Sequence, residues 1–205
     1  MSDLVATRSS LHAVAELLLA GPQYERSGTI RLRVTPGGFG TVAAPDARVE
    51  GAALRVGEQT IELRGSTVAD AAEAAGLVPR PLHDVYADGC GLSVDHPLLV
   101  VASCAAEIAE AFRLGDEALA ALAADAPRII WPEHFDLGIS VGEVNFGVSA
   151  GDDHLPVPYA YVGPWNAAEL TGAFWNAPFG AARPVAELGG ADGLLEFFRE
   201  GQELS

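Results

Sequence analysis

Apolar residues first recur at helical spacing in "SSLHAVAELLLAGP", residues 9–22, where Leu11, Val14, Leu17 and Leu18 share one face. Ser9 or Ser10 is placed to cap this helix, and Gly21–Pro22 is a stop signal. The period then falls to two. In "GTIRLRVTPGGFGTVAA" Ile30, Leu32 and Val34 alternate with Arg31, Arg33 and Thr35. Pro36–Gly37–Gly38 turn the chain back; these glycines lie between strands, so they form a turn and not a phosphate cradle. "AALRVGEQTIELRG" predicts a second hairpin about Gly57–Glu58, with Leu54 and Val56 facing Ile61 and Leu63. Thr67 and Asp70 have capping-box spacing for the helix that follows.

Residues 77–97 hold no sustained period, and Pro and Gly punctuate them, so they predict a long connection. "PLLVV" predicts a short buried strand. "SCAAEIAEAFRL" predicts a helix capped by Ser103, interrupted at Gly115 and resumed from Asp116 until Pro127. The strand pattern returns at Ile129, and "ADGLLEFFREG" is a closing amphipathic helix. Hairpins segregated from helices predict an α+β fold of antiparallel meanders and hairpins with flanking helices. The expected organisation is a single domain over 1–205 with two lobes, 1–76 and 98–205, joined by 77–97.

The stretch from Trp131 to Trp165 carries the clearest alternation. Phe135, Leu137, Ile139 and Val141 interleave with His134, Asp136, Gly138 and Ser140; Val144, Phe146 and Val148 interleave with Asn145, Gly147 and Ser149. A two-residue turn at Gly142–Glu143 fixes the register. It sets Val141 against Val144, Ile139 against Phe146 and Leu137 against Val148 on the apolar face. The polar face then opposes Ser140 with Asn145, Gly138 with Gly147, Asp136 with Ser149, and His134 with Gly151. Two paired glycines bare the backbone in mid-sheet, which marks close approach by another group. Asp152, Asp153 and His154 leave the second strand at the end where His134 and Asp136 lie. This is a glycine-floored groove with an imidazole–carboxylate cluster at its mouth. The plain alternative is a wet polar face whose glycines are covered by Tyr159, Tyr161 or Trp165 as packing.

The groove reading gives Gly138, Asn145, Gly147, Ser149, Tyr159 and Tyr161 as ligand-binding residues. It gives His134, Asp136, Asp152 and His154 as candidate ligands of a divalent metal. In an enzyme the two histidines would serve as ligands or general base. His134-x-Asp136 also has the spelling of the first two ligands of a non-haem iron triad, but the one later histidine is His154 in the adjacent loop. His83–Asp84 and Asp95–His96 sit in the irregular segment, and His12 reads as an exposed helix residue. "GAFWNAPFGAARP" reads as an aromatic loop pinned by packing.

Composition narrows the chemistry. The chain has 205 residues, and all 12 of its basic residues are Arg. The absence of lysine removes Schiff-base and Walker-type phosphate chemistry. Residues 1–64 carry seven Arg and seven Asp or Glu, so the whole net charge of −16 lies in 65–205. That field disfavours nucleic acid and anionic membranes, and suits cations, neutral molecules or a basic protein. The first residues lack a basic region followed by an apolar run, and the longest apolar run is too short for a bilayer. Cys90 and Cys104 do not make a disulfide framework. Cys104 reads as a buried helix residue, and the expected location is the cytoplasm.

"WPEHFDLGI", "VNFGVSAGDD" and "PVPYAYV" together resemble a family of uncharacterised bacterial proteins. Its members carry Trp-Pro-x-His-Phe-Asp, then Asn-Phe-Gly, Ser-x-Gly-Asp and a Pro-Tyr-x-Tyr strand. The resemblance covers roughly the C-terminal third. It implies that His134, Asp136, Asn145, Gly151 and Asp152 act as a unit, and it implies no reaction.

Two functional readings follow. One is a small-molecule pocket on the 131–165 hairpin, with a divalent metal and catalysis as extensions of it. The other is a non-catalytic acidic module that meets a basic protein. Both share one expected outcome: no retardation of DNA and no retention on anionic vesicles at moderate salt. Salt-sensitive DNA binding at micromolar protein would overturn the charge argument.

Overall fold

The computed structural model describes residues 2–166 and 170–205. The chain divides into two compact units, Met1–Glu110 with Ile130–Phe135, and Ala111–Ile129 with Asp136–Ser205. The strand pairings are antiparallel and the helices flank them, so the fold is α+β. Segment 77–97, expected as a junction between lobes, lies wholly within the first unit.

The first unit is organised by one helical rod: α1 (Asp3–Ala13), a π-helical run (Val14–Ala20) and α2 (Gly21–Ser27). Both expected ends were misplaced. The rod starts at Ser2, whose side chain accepts the Val5 N–H, and stops at Gly28, in the left-handed region at φ 71. Ser10 is not a cap; its buried hydroxyl accepts the Leu99 N–H at 2.8 Å. Pro22 should break a helix, because it lacks a donor and its ring collides with the carbonyl four residues back. Here the helix widens first, with the Gly21 N–H bonded to the Glu16 carbonyl five residues back. The Leu17 carbonyl, for which Pro22 would be the next such donor, takes the Arg80 N–H at 3.0 Å.

The strands of this unit are β1 (Leu32–Thr35), β2 (Gly38–Thr41), β3 (Ala47–Glu50), β4 (Ala53–Val56), β5 (Gln59–Glu62) and, from Ile130 on, β6 (Ile129–Trp131). Their order is β6-β1-β2-β3-β4-β5. Leu32, Phe39, Val49 and Leu54 are buried on one face, and β1 and β2 pack on the π-helical run. Leu54 faces Ile61 as expected, but Val56 meets Gln59, and Leu63 lies beyond the ladder with its N–H on the Ala52 carbonyl. Thr67 and Asp70 form the capping box of α3 (Val68–Ala75). "PLLVV" is no strand beyond the single Thr67–Pro97 bridge. Leu98 and Val100 are buried, but the backbone around them bonds to Ser66, Ser10 and Thr7 instead of a sheet neighbour.

In the second unit β7 (Asp136–Val141), β8 (Val144–Ser149), β9 (Tyr159–Pro164) and β10 (Ala181–Pro184) run in the order β10-β9-β8-β7. α4 (Ala102–Leu122) crosses the division between the units, and α5 (Ala191–Leu204) closes the chain. Gly115 does not interrupt α4. A Cβ there would come within 2.6 Å of Val148 Cγ2, so the glycine is a packing requirement of helix on sheet. α5 meets the same apolar face through Phe198, whose ring is edge-on to Phe146 at 6.1 Å. Among the described residues no helix is long and apolar enough to cross a membrane.

Gly21→Ala separates the two readings of Gly21. Helix propensity alone favours alanine by about 1 kcal/mol. The new Cβ would fall 2.9 Å from the Arg80 carbonyl carbon, where backbone cannot yield cheaply. The expected outcome in a denaturant melt is a net loss of about 1–3 kcal/mol; a gain would place Arg80 farther from the rod.

Candidate functional site

The hairpin register is the expected one throughout: Asp136–Ser149, Leu137–Val148, Gly138–Gly147, Ile139–Phe146, Ser140–Asn145 and Val141–Val144. Gly142 and Glu143 both take positive φ, 59 and 65, as a type I′ turn requires. Phe135 and Leu137 are buried. The ladder ends at Asp136, however. Phe135 has φ 51, so the alternation breaks there, and His134 stands in a turn instead of on the polar face of β7. His134 is 65 % exposed, with Glu133 Oε2 at 3.9 Å.

The glycine floor is covered. The β9 register sets Gly147 beside Tyr161, and a Cβ on Gly147 would stand 2.5 Å from the Tyr161 Cζ. A Cβ on Gly138 would stand 2.9 Å from its hydroxyl. The two glycines exist to admit this ring, the packing alternative to an open groove. Beyond them the Tyr161 hydroxyl donates to Asp136 Oδ2. The neighbouring Tyr159 donates to Asp152 Oδ2 at 2.5 Å. Burial, more than the adjacent carboxylates, pushes both phenols above their ordinary range, so they stay protonated donors.

Asp152 is occupied further. Its Oδ1 accepts the N–H groups of His154 at 2.7 Å and Leu155 at 2.9 Å, which builds the turn after β8. Asp153 is exposed. The exposed His154 lies edge-on to Phe179, and Phe179 stacks on Tyr159 at 6.4 Å. Ser149 is buried and accepts the Gly151 N–H. The aromatic loop is pinned as expected, with Phe174 packed on Trp175 and Phe197. The second unit thus brings together Asp136, Ser149, Asp152, Tyr159 and Tyr161 as two bonded Asp–Tyr pairs. Among the described residues no group of three or more His, Cys, Asp or Glu side chains is placed to hold a metal ion.

At the other end of the hairpin, Asn145 Oδ1 accepts the Ser140 hydroxyl at 2.6 Å and the Trp165 indole N–H at 3.3 Å. The Trp165 backbone N–H bonds to the Glu143 carbonyl. Trp165 is nevertheless 67 % exposed, and Glu143 is exposed beside it.

The first unit holds a polar cluster that hydrophobic periodicity did not single out. Glu16, on the π-helical run, is only 1 % exposed. Its Oε2 accepts the Cys90 N–H at 2.6 Å, which ties the irregular segment to the rod. The Cys90 thiol is pushed up to about 12, by burial first and then by Glu16, so it is a protonated, unreactive group. Among the described residues the buried Tyr86 hydroxyl has no hydrogen-bond partner, and it is likewise pushed up by burial and by Glu16. His12 is not an exposed residue: its ring stacks on Phe135 and its Nε2 meets the Pro132 carbonyl at 2.7 Å. The legible signal was a lone carboxylate in "AVAELLLAG". His83 and His96 are exposed, and Asp84 pairs with Arg80. Cys104 is half-buried on α4.

No family model matches the chain, and neither a curated protein nor a solved structure matches it.

Burial lowers the His12 pKa from 6.5, against the opposing pull of the Pro132 carbonyl and Glu16. The folded state therefore binds this proton less readily than the unfolded state does. The contribution of His12 is full above pH 6.5 and shrinks as pH falls below it, towards the lower folded value. A stability profile by denaturant melts from pH 7.5 to 5 should fall over this window, and His12→Gln should flatten it. An unchanged slope in the variant would remove His12 as the cause.

Proposed function

We propose that the protein is a non-catalytic interaction module that takes a cationic side chain of a basic partner at the tip of the β7–β8 hairpin. One observation carries this reading: Trp165 is held at its backbone, by the carbonyl of the exposed Glu143, and at its indole N–H, yet leaves two-thirds of its surface outside. An indole face and a carboxylate are the pair that recognises guanidinium or ammonium, worth about 0.5–1 kcal/mol for the ring at an exposed site and more when desolvated. Glu143 also occupies a left-handed conformation at φ 65 where Asn or Gly would be at ease. The net charge of −16 attracts the same class of partner. Cys90 and Cys104 are free thiols, which fits a reducing, cytoplasmic setting.

The small-molecule pocket stands second, because a ligand on the glycine floor would have to displace the Tyr161 ring. A bound metal stands behind it, since Asp136 and Asp152 are already engaged by tyrosines.

The test is a titration of an arginine-rich peptide followed by tryptophan emission, with a citrulline-substituted peptide as the neutral control. The expected outcome is a salt-sensitive change for the arginine peptide alone, weakened by Glu143→Gln and lost in Trp165→Phe. Equal responses to both peptides, or an unchanged response in Trp165→Phe, would overturn the proposal.

A further inference from the structure

The antiparallel registers of the first unit place charge in rows that the sequence hides. Arg33 pairs with Gly40, Gly40 with Arg48, Arg48 with Arg55, and Arg55 with Thr60. Directly paired residues share a face, so three guanidinium groups stand in one row across β1–β5, opposite the buried face of Phe39, Val49 and Leu54. The next row reads Thr35, Gly38, Glu50, Ala53, Glu62.

Like charges directly opposite on paired strands are destabilising, and Arg48 against Arg55 is such a pair. Glu50 offsets them incompletely. Its Oε2 stands 3.6 Å from Arg48 Nη2 and 3.3 Å from Arg55 Nε, long for charge-assisted hydrogen bonds. Among the described residues the buried Arg55 Nε has no hydrogen-bond partner. The side chains are held in place by other atoms: Arg33 Nε donates to the Thr41 carbonyl at 3.0 Å, and Arg55 Nη1 to the Thr60 hydroxyl at 2.6 Å. Each anchor uses one of the five donors that a guanidinium carries. Arg48 and Arg55 remain more than one-third exposed. Gly40 keeps the row low between Arg33 and Arg48, since a Cβ there would stand 2.7 Å from the Arg48 Cβ.

We propose that this row is an oxyanion site that binds a phosphate group of a small phosphorylated ligand, with Glu50 as the internal carboxylate it displaces. A tetrahedral dianion can accept from guanidinium forks on both sides, whereas the Glu50 carboxylate reaches both at long range only. The net negative charge of the chain does not forbid this. A small ligand senses charges within about one Debye length, ~8 Å at physiological salt, while a long polyanion would meet the acidic remainder.

The test titrates inorganic pyrophosphate into the intact protein by heteronuclear NMR at fixed ionic strength, with chloride and malonate as comparison anions. The expected result is saturable shifts at Arg48, Arg55 and Gly40. Arg48→Gln or Arg55→Gln should weaken binding about ten-fold, the loss of one charge-assisted contact. Glu50→Gln should tighten it, because the competing carboxylate is gone. That gain is a readout that a merely structural role for the row would not give. Equal response to chloride, or weaker binding in Glu50→Gln, would overturn the site. Tighter binding of malonate than of pyrophosphate would overturn the phosphate assignment.

Discussion

Backbone N–H and C=O groups cannot be buried without partners, and both units meet that demand with side chains where no ladder is at hand. In the first unit the helical rod supplies them. Thr7 and Ser10 bond the backbone of Leu99 and Val101, Glu16 bonds that of Cys90, and Gln23 uses its amide on Thr29, Arg31, Val42 and Ala43. Gln23 is fully buried and makes four such bonds, so one residue joins the end of the rod to the start of β1 and the exit of β2. The apolar side chains of the same rod, Leu11, Val14, Leu17, Leu18 and Leu19, fill the core between these bonds. The four polar residues of the rod that are buried, Thr7, Ser10, Glu16 and Gln23, each fix a segment outside it.

The second unit applies the same rule at its turns. Asp152 organises the turn after β8, and Asn176 donates to the Ala182 carbonyl and accepts the Ala182 N–H, standing in for a strand neighbour of β10. Asp152 also receives Tyr159, so the turn is bonded to the sheet it leaves. A carboxylate that holds two backbone donors and a phenol has a fixed position. Removing it would leave those donors to find water or stay unsatisfied, at about 1–3 kcal/mol for each that remains buried.

This rule decides what could be read in the sequence. The 136–149 hairpin was legible to the residue, because one buried face permits one register and Gly142–Glu143 sets the turn. The capping box at Thr67 and Asp70 was legible for the same reason: its partners are three residues apart. Signals whose partners lie far along the chain misled. Ser10 looks like a cap but answers to Leu99, and Gly21–Pro22 looks like a stop but answers to Arg80. Gly115 looks like a break in α4 but answers to Val148. The groove was half legible. The paired glycines announced a close approach, but the approaching group is Tyr161 from the next strand of the same sheet. The local φ of Phe135, which takes His134 off the polar face, leaves no periodicity to detect.

Charge follows the same division between local and distant. Summed over the chain, the balance is strongly acidic. Summed over a sheet row, it can have the opposite sign, because register brings together residues that composition scatters. Arg33, Arg48 and Arg55 are spread over 23 positions of sequence, yet strand pairing sets them in one line. The paired Arg48 and Arg55 repel on a face where threonine or serine would lower the energy, and the fold bears this without an ideally placed carboxylate. Glu143 in a left-handed turn and Trp165 facing outward are costs of the same kind. Local rules broken without a packing gain are where binding is to be sought.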